Sequence, residues 1–239
     1  MGKPQPGRCS IDWPNACCSA GVSGMEQPEP STKKVRWPCH RPSSDPDAAL
    51  LSAASAGDAD AVALALRDGA RLEARDSAGR SSLLLASAGD RVEAARVLVA
   101  LGADPDALDD QHDTPWLVTG VTGSVDMLET LLPARPDLGK VNRFGGVSVI
   151  PAAERGHVEY VRRVVTTGID VDHVNRLGWT ALLEAVVLGD GGGRHQEVVR
   201  ILLDAGADPS IADREGVTAL EHAEASGYTE MASILREHG

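Results

Sequence analysis

The sequence predicts an all-α fold, a solenoid of about six helix-turn-helix units with short β-hairpin fingers. The first observation is a set of similar tripeptides, GAR (69–71), GAD (102–104), RPD (135–137), GID (168–170) and GAD (206–208), whose starts follow one another at intervals of 33, 33, 33 and 38. The second is a set of apolar side chains at intervals of 33, 33, 33, 33 and 38, namely Leu50, Leu83, Trp116, Val149, Leu182 and Leu220. Two unrelated landmarks that share one period and one five-residue departure indicate a chain built from repeats.

Each predicted unit contains two short helices. It opens with an acidic or amide residue, at Asp76, Asp109, Asn142, Asn175 or Asp213. A helical run such as TALLEAVVLG follows, and then a second run such as EVVRILLDAG, whose glycine suits the end of a helix. Hydrophobic residues make up 42% of the chain but aromatic residues only 3%, which favours a core of closely packed helices. A single unit cannot bury its own apolar face, so the units must stack on one another.

In chain order, we predict repeats near residues 45–75, 76–108, 109–141, 142–174, 175–212 and 213–239. The first begins near Asp45 without a finger, and the last stops after its second helix, ILREHG. Both departures are typical of capping repeats, whose outer faces meet water.

The fifth repeat carries the five additional residues. The register holds on both sides if Gly191 to His195 are inserted between a first helix that ends near Leu188 and a second that starts near Gln196. Three consecutive glycines lose much entropy on ordering, which predicts a mobile surface loop able to act as a flap. A phosphate cradle is disfavoured, because the run follows a helix and contains no lysine.

Residues 1–44 form a proline-rich segment without periodicity, for which we predict disorder. Met25 is an alternative start of the protein. All four cysteines lie in this segment without CxxC spacing, and Cys39 with His40 is its best metal-binding feature. The predicted repeat domain, residues 45–239, therefore needs no disulfides.

Charge and hydropathy exclude several classes of function. The chain carries a net charge of −12, and the first 44 residues contribute about +3, so the repeat domain is near −15. Such a domain repels nucleic acid. No apolar run approaches the length of a membrane span, so we expect a cytoplasmic protein that forms no membrane contact.

The repeated residues resemble the ankyrin repeat family, whose pattern runs D-x-x-G-x-T-P-L-H-x-A-A, then G-H, V-x-x-L-L and G-A-D. Residues 109–137 carry TPW, residues 142–170 carry Gly145, the pair Ala152 and Ala153 and the pair Gly156 and His157, and residues 175–208 carry GWTAL, EVVRILL and GAD. The resemblance covers about residues 45–239. The central block resembles a group of bacterial ankyrin proteins, which implies no agreed activity.

The resemblance implies binding of a partner on the concave face, through the fingers and the first helices. Carried over residue by residue, it implies contacts by Asp113, Arg143, Phe144, Arg155, Arg176, Trp179 and Arg214. Three of these, Arg143, Arg176 and Arg214, share one slot in successive fingers and would form a basic ladder for an acidic protein or a small anionic ligand. The alternative is three solvated arginines without a role.

The aromatic residues of the domain fall into two groups. Trp116 and Tyr160 occupy positions where the repeat needs an apolar core residue, so we predict that both are buried. Phe144 and Trp179 lie on fingers, where an aromatic side chain facing water is either an interface anchor or of no consequence.

Two functions remain open from the sequence. GxSxG, HExxH, P-loop and GxGxxG motifs are missing, which favours a non-catalytic protein-protein interaction module. We expect this module to be a monomer without metal or cofactor. The alternative is a small-molecule-binding protein or an acid/base enzyme of lyase or dehydratase type, with Glu184, His173 and His195 facing one cleft in repeats three to five. Against it, Glu184 also fits as a polar residue at an ordinary position of the repeat.

Overall fold

The computed structural model describes residues 45–238, and the predictions for residues 1–44, including Met25, Cys39 and His40, lie outside them. The described residues form twelve α-helices, two in each predicted repeat. They are α1 (Pro46–Ala56), α2 (Ala59–Arg67), α3 (Ser82–Ala88), α4 (Val92–Ala100), α5 (Pro115–Thr122), α6 (Val125–Leu131), α7 (Val149–Glu154), α8 (Val158–Val164), α9 (Ala181–Val187), α10 (Gly193–Asp204), α11 (Ala219–Ala225) and α12 (Thr229–Glu237). The predicted all-α solenoid is confirmed.

The first helix of most repeats begins at a polar N-cap. The side chains of Asp45, Ser81, Thr114, Thr180 and Thr218 each accept a hydrogen bond from the backbone N–H three residues further on. Such caps satisfy N–H groups that have no partner inside the helix, and each contributes about 1 kcal/mol. The threonine of the repeated motif therefore fixes where these helices start.

The helices form two stacked rows. The first helices of consecutive repeats pack on one another, from α1 through α3, α5, α7 and α9 to α11, and the second helices do the same from α2 to α12. Small aliphatic side chains fill the space between them. Trp116 and Tyr160 are fully buried, which confirms their predicted place in the core.

The fingers are tight turns, residues 76–80, 109–113, 142–146, 175–179 and 213–217. In each, the first residue donates its backbone N–H to the carbonyl four residues later, and its side chain accepts N–H groups from inside the turn. One isolated β-bridge, between Arg75 and Ser81, is the β-structure within residues 45–238. Backbone hydrogen bonds also join neighbouring fingers, as from Arg176 N–H to the Phe144 carbonyl.

The glycine-rich stretch of the fifth repeat is more ordered than predicted. The second helix, α10, begins at Gly193 and not near Gln196, so Arg194 and His195 lie in its first turn. His195 is buried, with Nδ1 2.7 Å from Asp190 Oδ1 and Nε2 3.0 Å from the carbonyl oxygen of Glu154. The prediction that His195 belongs to a free flap is therefore wrong, because the residue is held between two repeats.

His195 makes the contact that His157 makes one repeat earlier. His157 Nε2 lies 3.2 Å from the carbonyl oxygen of Val121, 36 residues away, whereas His195 reaches 41 residues back to Glu154. The difference equals the five additional residues, which consequently lie before His195. Gly189 aligns with Gly156 at the shared period, so the insertion is residues 190–194 and not 191–195.

Candidate functional site

A groove of about 330 Å³ opens between the fingers and the first helices of repeats three to five. Its lining comes from three fingers and three first helices, which belong to repeats that are adjacent in the stack. The lining residues are Asp113, Val121, Asn142, Arg143, Phe144, Gly146, Ile150, Pro151, Glu154, Arg155, Asn175, Leu177, Glu184 and Leu188.

Exposed apolar side chains form the walls of this groove. Phe144 is 54% exposed, Leu177 51%, Leu188 49% and Val121 40%. These four are more than half of the large apolar residues that face water in residues 45–238. Apolar side chains gathered around a concavity indicate a binding surface, whereas single scattered ones do not.

The charged rim of the groove is internally paired. Arg143 lies 3.7 Å from Asp113 and also covers the Phe144 ring, with its guanidinium carbon 4.8 Å from the ring centroid. Arg155 lies 3.5 Å from Glu154. Ion pairs this exposed contribute little stability, but they leave neither arginine without a carboxylate nearby.

The floor of the groove carries a buried acid, Glu184 on α9, which is 6% exposed. Its Oε1 accepts a hydrogen bond of 2.7 Å from Asn175 Nδ2, and Asn175 Oδ1 in turn accepts the backbone N–H groups of Leu177 and Trp179. Among residues 45–238 no group donates to Oε2. Burial raises the pKa of Glu184 to about 7, the charge of Glu154 adds to the rise, and the bond from Asn175 and the charge of Arg155 oppose it.

The structure does not assemble the predicted acid/base constellation. Glu184 lines the groove, but His173 and His195 do not. His173 Nε2 lies 2.7 Å from the carbonyl oxygen of Gly145, and His195 is held by Asp190 and by the carbonyl of Glu154. The two imidazoles are therefore held by backbone carbonyls and, for His195, by the Asp190 side chain. They do not face one cleft together with Glu184.

The residues expected to bind a partner divide between the groove and the finger stack. Asp113, Arg143, Phe144 and Arg155 line the groove, whereas Arg176, Trp179 and Arg214 do not.

Two of the three arginines of the basic ladder, Arg176 and Arg214, bind the backbone of the preceding finger. Arg176 Nη1 donates to the carbonyl of Arg143 at 2.8 Å, and Arg214 donates in the same way to the carbonyl of Arg176. Trp179 is half-buried against the core, which corrects the expectation that it faces water. Arg176 and Arg214 therefore join neighbouring fingers, and Trp179 packs against the core.

Sequence reasoning missed the apolar residues Val121 and Leu188. At the shared period, Val121 occupies the position of Glu154, and Leu188 that of Arg155. An apolar residue at a position that is charged in the neighbouring repeat was the available signal.

Within the described part of the chain, no cluster of His, Cys, Asp and Glu could hold a metal ion. No helix in residues 45–238 is long and apolar enough to cross a membrane.

Stacked helix pairs joined by fingers, with a groove across three of them, define a solenoid repeat protein. A family model described as ankyrin repeats, in three copies, matches residues 117–213. The chain is 39% identical over 186 residues to the ankyrin repeat protein YahD of Escherichia coli (strain K12), and the match covers 77% of this chain and 92% of YahD. The chain therefore belongs to the ankyrin repeat family.

Solved structures agree with this assignment. An ankyrin repeat domain from Acinetobacter baumannii AYE is 43% identical with a TM-score of 0.76, and the match covers 80% of this chain and 97% of that one. The ankyrin repeat domain of Bcl-3, a member of the IkappaB protein family, is 26% identical with a TM-score of 0.73, and the match covers 82% of this chain and 87% of that one. Ankyrin repeats are generally protein-protein interaction modules.

Proposed function

We propose that this chain is a non-catalytic interaction module that binds a protein partner in the groove of repeats three to five. The observation that carries the proposal is the ring of exposed apolar side chains, Val121, Phe144, Leu177 and Leu188, around one concavity. Burying a side chain such as Phe or Leu contributes about 1.5–3 kcal/mol, so two of them suffice as interface anchors.

The finger stack supports the proposal because it holds the groove ready for binding. Arg176 ties the fifth finger to the fourth through both its backbone N–H and its guanidinium. A surface that is ordered before the partner arrives loses less entropy on association. The arginine contacts argue against an acidic partner or a small anionic ligand, since Arg176 and Arg214 bind carbonyls. The two groove arginines, Arg143 and Arg155, already face carboxylates.

The test replaces the two most exposed wall residues, Phe144→Ala together with Leu177→Ala. The matched control is Leu101→Ala with Leu108→Ala, which removes two exposed leucines outside the groove. Tagged proteins are used to capture partners from extracts of the source organism. We expect the control to capture the wild-type partner and the groove variant to lose it. Equal capture by the groove variant would remove the groove from the proposal.

Replacing Arg176 and Trp179 is a poorer test, because Arg176 holds the fourth finger and Trp179 packs against the core. Loss of capture by such a variant would report damage to the fold as much as loss of a contact.

As part of the same proposal, the protein acts in the cytoplasm as a monomer. All four cysteines precede residue 40, so the repeat domain contains no thiol to oxidise. Sedimentation analysis of the purified chain and fractionation of the source cells test the two statements separately.

A further inference from the structure

We propose that Glu184 recognises a lysine side chain of the partner, whose ammonium donates to Oε2 while its aliphatic stem lies along Ile150 and Leu188. This inference rests on the groove being the binding surface and adds the chemistry of the bound segment: a lysine beside a large apolar residue. The apolar residue packs against Phe144 and Leu177.

Of the three acids in the groove, Glu184 is the one that forms no ion pair. Asp113 and Glu154 each lie beside an arginine, at 3.7 and 3.5 Å, whereas the Glu184 carboxylate is hydrogen-bonded by the neutral amide of Asn175 and feels the charge of Arg155 only from beyond ion-pair distance. Glu184 is also the most enclosed of the three, at 6% exposed, and its unpartnered oxygen belongs to a residue that lines the groove. A buried carboxylate that is not paired with a cation is costly, and a cation brought by the partner would reduce that cost.

The charge of the domain supports a cationic ligand. Residues 45–239 carry a net charge near −15, so the domain as a whole attracts a basic segment and repels an acidic one.

The geometry favours lysine over arginine. Asn175 already donates to Oε1, which leaves Oε2 as the free acceptor. An ammonium is a compact point charge that fits a single acceptor, whereas a guanidinium binds best when its planar fork meets both carboxylate oxygens. The long apolar stem of lysine also suits walls formed by Ile150, Pro151 and Leu188.

Glu184 has a structural task as well, but that task does not need a negative charge. In the sixth repeat the equivalent position is His222, which hydrogen-bonds Asp213 at the start of its finger at 2.7 Å. A neutral acceptor at residue 184 would hold Asn175 equally well. Glu184→Gln therefore keeps the finger clamp and replaces the free oxygen by an amide N–H, which repels an ammonium.

The experiment selects from a random displayed heptapeptide library on four proteins: wild type, Glu184→Gln, Phe144→Ala with Leu177→Ala, and His222→Gln. The last is the matched control, since it alters the same clamp one repeat away from the groove. We expect wild type and His222→Gln to enrich peptides with lysine next to a large apolar residue. Glu184→Gln should enrich groove-binding peptides without the lysine, and the double variant should enrich neither.

The most enriched peptide is then synthesised with lysine, acetyl-lysine, arginine or methionine at the selected position. Because a hydrogen bond to a charged group is strong, we expect acetylation to weaken binding to the wild type about 10- to 100-fold, and arginine to weaken it less. The peptide series tests the contact in the unaltered protein, so it holds even if Glu184→Gln is unstable.

The outcomes separate the two proposals. Peptides that require Phe144 and Leu177 but show no lysine preference overturn the role of Glu184 and leave the groove in place. The role of Glu184 is likewise overturned if Glu184→Gln still enriches lysine-containing peptides, or if His222→Gln no longer does. If no enriched peptide depends on Phe144 and Leu177, the proposed function itself fails.

Discussion

At the scale of single residues, the Glu184 carboxyl links the stability of the domain to pH. Its pKa is about 7 in the folded protein, against an ordinary value of 4.5 that applies to the unfolded chain. Well below pH 4.5 the carboxyl is protonated in both the folded and the unfolded state. Between these values the unfolded state binds fewer protons, so the free energy of unfolding falls as pH rises, by at most about 3 kcal/mol.

Glu184→Gln should remove this dependence, because a glutamine has no proton to lose. Relative to wild type, the variant should gain free energy of unfolding between pH 4.5 and 8, with most of the gain complete by about pH 7. Urea denaturation of both proteins at pH 4.5, 6 and 8 measures the difference. If the difference in free energy of unfolding between Glu184→Gln and the wild type stayed constant with pH, residue 184 would not be a buried acid with a raised pKa.

Gly120 shows how closely two first helices approach. A Cβ at this position would lie 1.9 Å from the carbonyl oxygen of Ser148, where helix α5 meets the start of α7. Gly120→Ala should therefore destabilise the domain by about 1–3 kcal/mol through overpacking. The control is Gly193→Ala, since a Cβ there meets nothing within 4 Å. Equal melting temperatures for Gly120→Ala and Gly193→Ala would contradict this close approach of α5 and α7.

At this scale the sequence predicted which residues are core and only part of the site. Trp116 and Tyr160 were predictable because the period marks core positions. The roles of Arg176 and Arg214 were not, since a shared slot shows that side chains align but not that each binds the carbonyl of the preceding finger. Glu184 was predicted as a polar group at the cleft, whereas its unpaired oxygen follows from the positions of Asn175, Glu154 and Arg155.

At the scale of elements, the fifth repeat tests the assigned register. Deleting residues 190–194 joins Gly189 to His195 and leaves the order Leu188, Gly189, His195, Gln196 and Glu197, which matches Arg155, Gly156, His157, Val158 and Glu159. Deleting residues 191–195 gives the same length but removes the histidine. We expect the first deletion to be the more stable by about 1–2 kcal/mol, because only it keeps the hydrogen bond to Glu154.

Urea denaturation of the two deletions provides the comparison, and each serves as the length control of the other. Equal stability of the two deletions would mean that His195 does not join the repeats.

The start of α10 could not be predicted from the sequence, because a glycine run predicts coil locally. Gly191 does adopt a positive φ of 67°, yet the burial of His195 draws the following residues into the helix.

At the scale of the whole molecule, the groove is a product of stacking. Its walls come from three consecutive repeats, with Phe144 and Leu177 at equivalent positions of two fingers, so no single repeat contains it. The period predicted that the repeats stack, but the shape of the concavity depends on the size of side chains in adjacent repeats. Val121 and Leu188 stand at positions where the fourth repeat has Glu154 and Arg155, and they add exposed apolar surface to this part of the solenoid.

Because each repeat touches only its neighbours, the sixth repeat should determine the stability of the fifth and of the groove floor. Helices α11 and α12 pack against α9 and α10, and Met231 on α12 is fully buried. Ending the chain after Ala212 should expose the apolar faces of α9 and α10, lower the melting temperature and increase binding of a hydrophobic dye. Met231→Ala should lower the free energy of unfolding by about 2–5 kcal/mol, which lies between the wild type and the shortened chain. A shortened chain that melts like wild type would show that the fifth repeat is stable without its neighbour.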